Sequence, residues 1–195
     1  MKRLILPIVL IFFAANLNAE STVIDFDSFE REDAVFQEIG NEISEDGFVI
    51  SVSGGSALGN VGTMETRYSG SAAIASLQVG SLYVLTRATG GAFGISSIDL
   101  AEFSTGAGPT APAVTFTGIR SGGGIATQTF VLDGQGFAPQ EFNFDSDFSN
   151  LVGLVWAQTS PSHQFDNLNV NAIPEPSALC LLAGGIALIA SRRRR

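Results

Sequence analysis

The sequence predicts an all-β protein, a single jelly-roll-like β-sandwich held between two membrane-directed ends. Three observations carry this. Short apolar runs are separated by Gly, Asn and Asp clusters, no long stretch shows helical apolar spacing, and fifteen Phe and twenty-two Gly fit packed strands joined by tight turns. Two end segments differ in composition from everything between them, so the domain occupies residues 20–172.

The amino-terminal segment, residues 1–19, has Lys2 and Arg3, an apolar run over 4–15, and then Asn16-Leu17-Asn18-Ala19. That is the order of a secretory signal peptide cut after Ala19. A buried helix or an uncleaved anchor are the alternatives, and Leu17 is larger than the residue usual two positions before a cut.

Nine to eleven strands are expected. The clearest lie at 22–27, 47–52, 71–77, 81–87, 93–103, 113–119, 125–132, 140–144, 151–158 and 163–170. Glu45-Asp46-Gly47, Thr89-Gly90-Gly91, Ser121 to Gly124 and Asp133 to Gly136 provide residues that tolerate positive φ at the junctions. Residues 30–39 read as a short helix or loop, and 104–112 as a surface loop. Around Trp156 both alternate sets of residues are apolar or small, which predicts a central strand covered on both faces. In the last strand, parity places Asp166 with Leu168 and Val170 on the core side, and Asn167 with Asn169 on the other.

Charge excludes one class of partner. Residues 20–173 hold four basic side chains, Arg31, Arg67, Arg87 and Arg120, against eighteen acids, a net charge of −14. Nucleic acid and anionic lipid are bound through Lys and Arg, so neither is a partner of this domain. The chain's one cysteine, Cys180, lies in the tail, which leaves the domain without a disulfide.

Catalytic patterns are sparse. His163 is the only histidine, reads as a strand-edge surface residue, and follows no G-x-S-x-G elbow. One His and one Cys exclude a zinc site of ordinary make-up. Lys2 is the only lysine, which rules out a Walker A loop and a Schiff base. A carboxylate pair for glycoside hydrolysis stays open, with no pair singled out. Of the rings that stack on sugars, Trp156 and Tyr83 read as core, and Tyr68, before Ser69-Gly70, reads as the exposed one.

The carboxyl-terminal segment, 173–195, has three parts. Pro174-Glu175-Pro176 breaks helix, residues 177–191 form an apolar helix, and Arg192, Arg193, Arg194 and Arg195 hold its end on the cytoplasmic side. The apolar core at 178–190 extends ~20 Å against a ~30 Å hydrocarbon layer, which suits a transient anchor. A permanent single span is the alternative. This arrangement resembles the PEP-CTERM sorting signal of Gram-negative bacteria. The resemblance implies export through the Sec machinery, an inner-membrane intermediate, recognition by the membrane protease exosortase, and release to a cell surface or matrix where extracellular polysaccharide is made.

A second resemblance, shorter in its motifs, covers Ile24-Asp25-Phe26-Asp27, Ile98-Asp99-Leu100, the stretch from Phe144 to Trp156, and Phe165 to Val170. These look like strands of the jelly-roll domain frequent in PEP-CTERM proteins, similar in outline to carbohydrate-binding and lectin-like modules. It implies that first and last strands pair and that a calcium ion braces them, with Asp25, Asp27, Asp166 and Asn167 as oxygen ligands. The other reading is that Asp166 accepts backbone N–H bonds at a turn while Asp25 and Asp27 are solvated. Three roles stay open for the domain: non-catalytic binding or organisation of polysaccharide, a glycan hydrolase, and a structural matrix or adhesin protein. Short strands with apolar edges also allow pairing between molecules.

Overall fold

The computed structural model describes residues 20–103 and 111–173. The signal-peptide and sorting segments and residues 104–110 lie outside them. Thirteen strands follow in chain order: β1 (Glu20–Ile24), β2 (Phe36–Gly40), β3 (Glu42–Glu45), β4 (Phe48–Val52), β5 (Leu58–Val61), β6 (Ile74–Ala75), β7 (Leu82–Arg87), β8 (Phe93–Glu102), β9 (Ala113–Arg120), β10 (Ile125–Val131), β11 (Gln140–Asn143), β12 (Leu151–Ala157) and β13 (His163–Ala172).

Antiparallel pairing sorts them into two layers. One runs β10-β9-β12-β7-β4-β3, and the other β2-β5-β6-β13-β8-β11 with β1 added on β13. A single pair, Leu151 with Phe93, links the layers. Aromatic rings from opposite layers meet between them. Trp156 packs on Phe165 at 5.0 Å, Phe48 on Phe93 at 5.5 Å, and Phe130 on Phe142 at 4.9 Å. The protein is therefore an all-β sandwich, as the sequence predicts.

First and last strands pair, with Glu20 opposite Ala172 and Ile24 opposite Leu168. The described chain begins and ends side by side, so residues 20–173 close on themselves and contain both layers and the core. We use this segment as the folding unit in the experiments below.

Three strands were not expected. Residues 30–39, read as helix or loop, end in β2, which pairs with β5. Strand β3 is short and charged, and β5 contains Gly59 and Asn60, so their composition is that of loops. The expected strand at 71–77 contracts to Ile74–Ala75. Asp46 and Gly47, both at positive φ (48° and 78°), make the two-residue turn between β3 and β4 that the sequence signals.

Two parity expectations are corrected. In β12, Leu154 and Trp156 are buried but Val155 and Ala157 are only half-buried and Val152 is exposed, because nothing among the described residues covers the outer side of this layer. In β13, Phe165 and Leu168, three apart, both enter the core. Asn167 at φ 47° and a register shift after Asp166 form a bulge there, and the extra residue reverses the alternation. Asp166 is buried on the side opposite Phe165, beneath the segment around Ser71, and does not share a face with Leu168 and Val170.

Close approach constrains Gly59 in β5. A Cβ there would stand 2.5 Å from the Gln37 carbonyl oxygen, backbone that cannot move without opening the β2–β5 ladder. Gly59→Ala is expected to destabilise the fold by about 1–3 kcal/mol, read as a lower urea midpoint at unchanged slope. A midpoint equal to wild type would show that β2 is not held against β5 as described.

Candidate functional site

The acids singled out by sequence meet where β1 leaves the sheet and β13 bulges. Asp25 follows β1, and its Oδ1 accepts from the Asp27 backbone N–H at 3.2 Å. Phe26, between them, takes φ 55° and buries its ring against Phe165, which fixes the turn. Asp27 starts a 3₁₀ turn (Asp27–Phe29) and is exposed. Asp166 Oδ1 accepts from the Asn167 N–H at 2.8 Å, and its Oδ2 accepts from Ser71 Oγ. Asn167 donates through Nδ2 to Asp99 Oδ2 at 2.9 Å.

Sequence reasoning missed three participants. Asp99 lies opposite Asp166 in the β8–β13 pairing. Glu45, read only as a turn residue, brings a carboxyl oxygen that is buried without a hydrogen-bond partner. Asp46 accepts from Thr22 Oγ1 at 3.1 Å. No local pattern joins residues so distant in the chain.

Burial governs their protonation. Burial, followed by the Asp25 and Asp46 charges, raises Glu45 to about 7. Burial raises Asp166 to about 6, with Asp99 and Asp25 adding repulsion and the bonds from Ser71 and Asn167 opposing it.

This donor set does not fit the calcium ion that the fold resemblance implies. Both oxygens of Asp166 already accept hydrogen bonds, and Asn167 turns its amide nitrogen toward Asp99. Among the described residues, no group of three His, Cys, Asp or Glu is placed to hold a metal.

Tyr68 does not stand free as expected. Its ring is half-buried against the small cluster of Val61, Ala75 and Phe103, and its hydroxyl donates to Glu30 Oε2 at 3.3 Å. His163 is a further correction. It is 0 % exposed, its ring set edge-on to the buried Tyr83 and capped by Gln158 and Thr159. Thr159 Oγ1 donates to the Pro161 carbonyl at 2.6 Å, so the imidazole Nδ1–H, 3.0 Å away, donates a hydrogen bond to it. Burial lowers His163 to about 3, and the ring stays neutral.

A shallow groove lies elsewhere, lined by Glu38, Gly55, Ser56, Ala57, Leu77 and Gln78. It joins a carboxylate, a hydroxyl and an amide with the side chain of Leu77, 57 % exposed. No sequence motif marked it.

Fold and composition thus define an acid-rich β-sandwich with no histidine available at its surface. The particular function of its tail is given by comparison: a family model of the PEP-CTERM protein-sorting motif matches residues 172–195. Pro174, Glu175, Pro176 and the four terminal arginines fall within that match but outside the described residues. The motif marks the chain as an exported protein sorted by exosortase to the cell envelope.

No curated protein matches the chain. Similar solved structures include carbohydrate-binding modules. A CBM29-2 variant complexed with mannohexaose is 14% identical, with a TM-score of 0.36, covering 80% of this chain and 93% of that one. The family 32 module from C. perfringens NanJ in complex with galactose is 11% identical, with a TM-score of 0.38, covering 68% and 97%.

Proposed function

We propose that this is an exported surface or matrix protein that binds or organises extracellular polysaccharide without catalysing a reaction. The observation that carries it is the sorting motif at 172–195 attached to a sandwich that closes just before it. Burial of the neutral His163 removes imidazole acid–base chemistry, since the chain's only imidazole meets no solvent, and a hydrolase would have to work through carboxylates alone. The net charge of −14 over residues 20–173 favours a neutral glycan over an anionic one. In this reading the Sec machinery delivers the chain to the inner membrane of a Gram-negative cell, exosortase removes the tail, and the sandwich is released.

The groove at Glu38, Ser56 and Gln78 is the proposed contact. Sugar hydroxyls both donate and accept, and the groove offers a carboxylate, a hydroxyl and an amide beside an apolar side chain.

The test is a titration of purified residues 20–173 with the producing cell's own extracellular polysaccharide. Saturable binding is expected, with equal affinity in calcium and in chelator because the acids at β1 and β13 do not form a calcium site. Glu38→Ala and Gln78→Ala are each expected to weaken binding about tenfold, the loss of one or two hydrogen bonds. Failure of the intact segment to bind overturns the reading. Release of new reducing ends during incubation overturns its non-catalytic part in favour of a hydrolase.

A further inference from the structure

Five strands have a single neighbour among the described residues: β1, β2, β3, β10 and β11. Such edges present unpaired N–H and C=O groups, and proteins guard them with charge. Four are guarded. Glu20 lies in β1, Glu38 in β2, Glu42 and Glu45 in β3, and Glu141 in β11. Strand β10, Ile125-Ala126-Thr127-Gln128-Thr129-Phe130-Val131, carries no charge, no proline and no glycine.

Its free groups can be assigned. Hydrogen bonds from Arg120 N–H to Gly124 O (3.1 Å) and from Leu132 N–H to Pro112 O (3.0 Å) close the two ends of the β9–β10 ladder. They keep its register, in which Ile125 faces Ile119 and Val131 faces Ala113. The hydrogen-bonded pairs are then the even-numbered residues, and Ile125, Thr127, Thr129 and Val131 point N–H and C=O away from β9.

The face these residues share extends the argument. Outward side chains across the layer are Ile125, Thr127, Thr129 and Val131 of β10, then Ala113, Thr115, Thr117 and Ile119 of β9. Val155, Ala157, Leu82, Val84, Thr86, Val49 and Ser51 continue it, and only Glu42, on the far edge, is charged. On a domain of net charge −14, this edge and face are where a second equally acidic copy meets least repulsion.

We infer that β10 pairs antiparallel with β10 of a second copy, about a twofold axis at Gln128. Thr127 of one copy then faces Thr129 of the other, and Ile125 faces Val131. The outward edge groups of all four residues are satisfied by about eight backbone hydrogen bonds. The threonine row begun by Thr115 and Thr129, whose hydroxyls bond at 2.9 Å, continues through Thr127 and Thr117 of the second copy. Homotypic antiparallel pairing of β2 or of β3 would instead bring glutamates together, Glu38 opposite Glu38 or Glu42 opposite Glu45. The inference is independent of the polysaccharide reading.

Sedimentation velocity of residues 20–173 over a wide concentration range tests it. The expected result is a reversible monomer–dimer equilibrium. Thr127→Pro removes one outward N–H and no bond of the β9–β10 ladder, and is expected to weaken association at least about tenfold. If that variant does not fold, a charge pair decides. Thr127→Lys/Thr129→Lys and Thr127→Glu/Thr129→Glu proteins are each expected to be monomeric alone and to form a 1:1 dimer when mixed. A wild-type protein that stays monomeric at every concentration overturns the inference, as does a dimer that survives these substitutions.

Discussion

Replacing Trp156 with alanine is expected to cost about 3–5 kcal/mol of stability. The indole is 1 % exposed, stacks on Tyr83 at 5.2 Å and meets Phe116 at 5.4 Å and Phe165 at 5.0 Å. It belongs to β12 in one layer and touches β13 in the other, so its removal opens a cavity between the layers. Surrounding rings cannot collapse into that space without leaving their own strands. Urea unfolding followed by far-ultraviolet circular dichroism measures the loss. Val152→Ala, on the exposed side of the same strand, is expected to change stability by no more than about 0.5 kcal/mol. A loss below about 1 kcal/mol for Trp156→Ala would show that the layers are not joined through this residue. As Trp156 is the chain's only tryptophan, its fluorescence also reports unfolding of every other variant.

Stability is expected to fall as pH rises from about 4 to about 7, the reverse of ordinary acid denaturation. Asp166 and Glu45 hold protons in the folded state up to about 6 and about 7, whereas unfolded they titrate at 3.8 and 4.5. Between those limits the native state binds more protons than the unfolded one, so ΔG of unfolding decreases with pH. Below the unfolded values the stabilisation is complete, and above the folded values it is lost. Asp166, almost fully buried, contributes about 2–3 kcal/mol. Glu45 is only half-buried and solvent screens it, which leaves about 1 kcal/mol or less. The thermal midpoint is expected to drop by about 5–10 °C between pH 5 and pH 8. Asp166→Asn keeps the acceptor for the Asn167 N–H and removes the titrating group, and is expected to remove most of the slope. An Asp166→Asn variant with an undiminished slope would place the effect in general charge repulsion.

Local chemistry made some of this legible and not the rest. The β class, ten of the strand positions, the Asp46-Gly47 turn and the burial of Trp156 and Tyr83 follow from patterns within a few residues. Strands β2, β3 and β5 escaped because an exposed edge, a charged hairpin arm and a Gly-Asn pair look like loops until a neighbour pairs with them.

The candidate site was half visible. Asp25, Asp27, Asp166 and Asn167 do lie around one junction, since β1 and β13 pair. Their roles depended on Ser71, Glu45 and Asp99, which arrive from other strands. The bulge at Asn167 then reversed the parity that periodicity assigned, because one added residue moves every later side chain to the other face.

By itself, the sequence determined that the chain is an all-β domain of strongly acidic charge with a sorting tail, since composition, turn residues and a contiguous motif need no partner in space. Only the tertiary structure decided that His163 is sealed and neutral, that Tyr68 is half-buried, that Asp166 is buried close to Asp99 and Asp25, and that β10 alone among the described edge strands carries no charged residue. Burial and edge position are properties of neighbours far apart in the chain, and no local pattern encodes them.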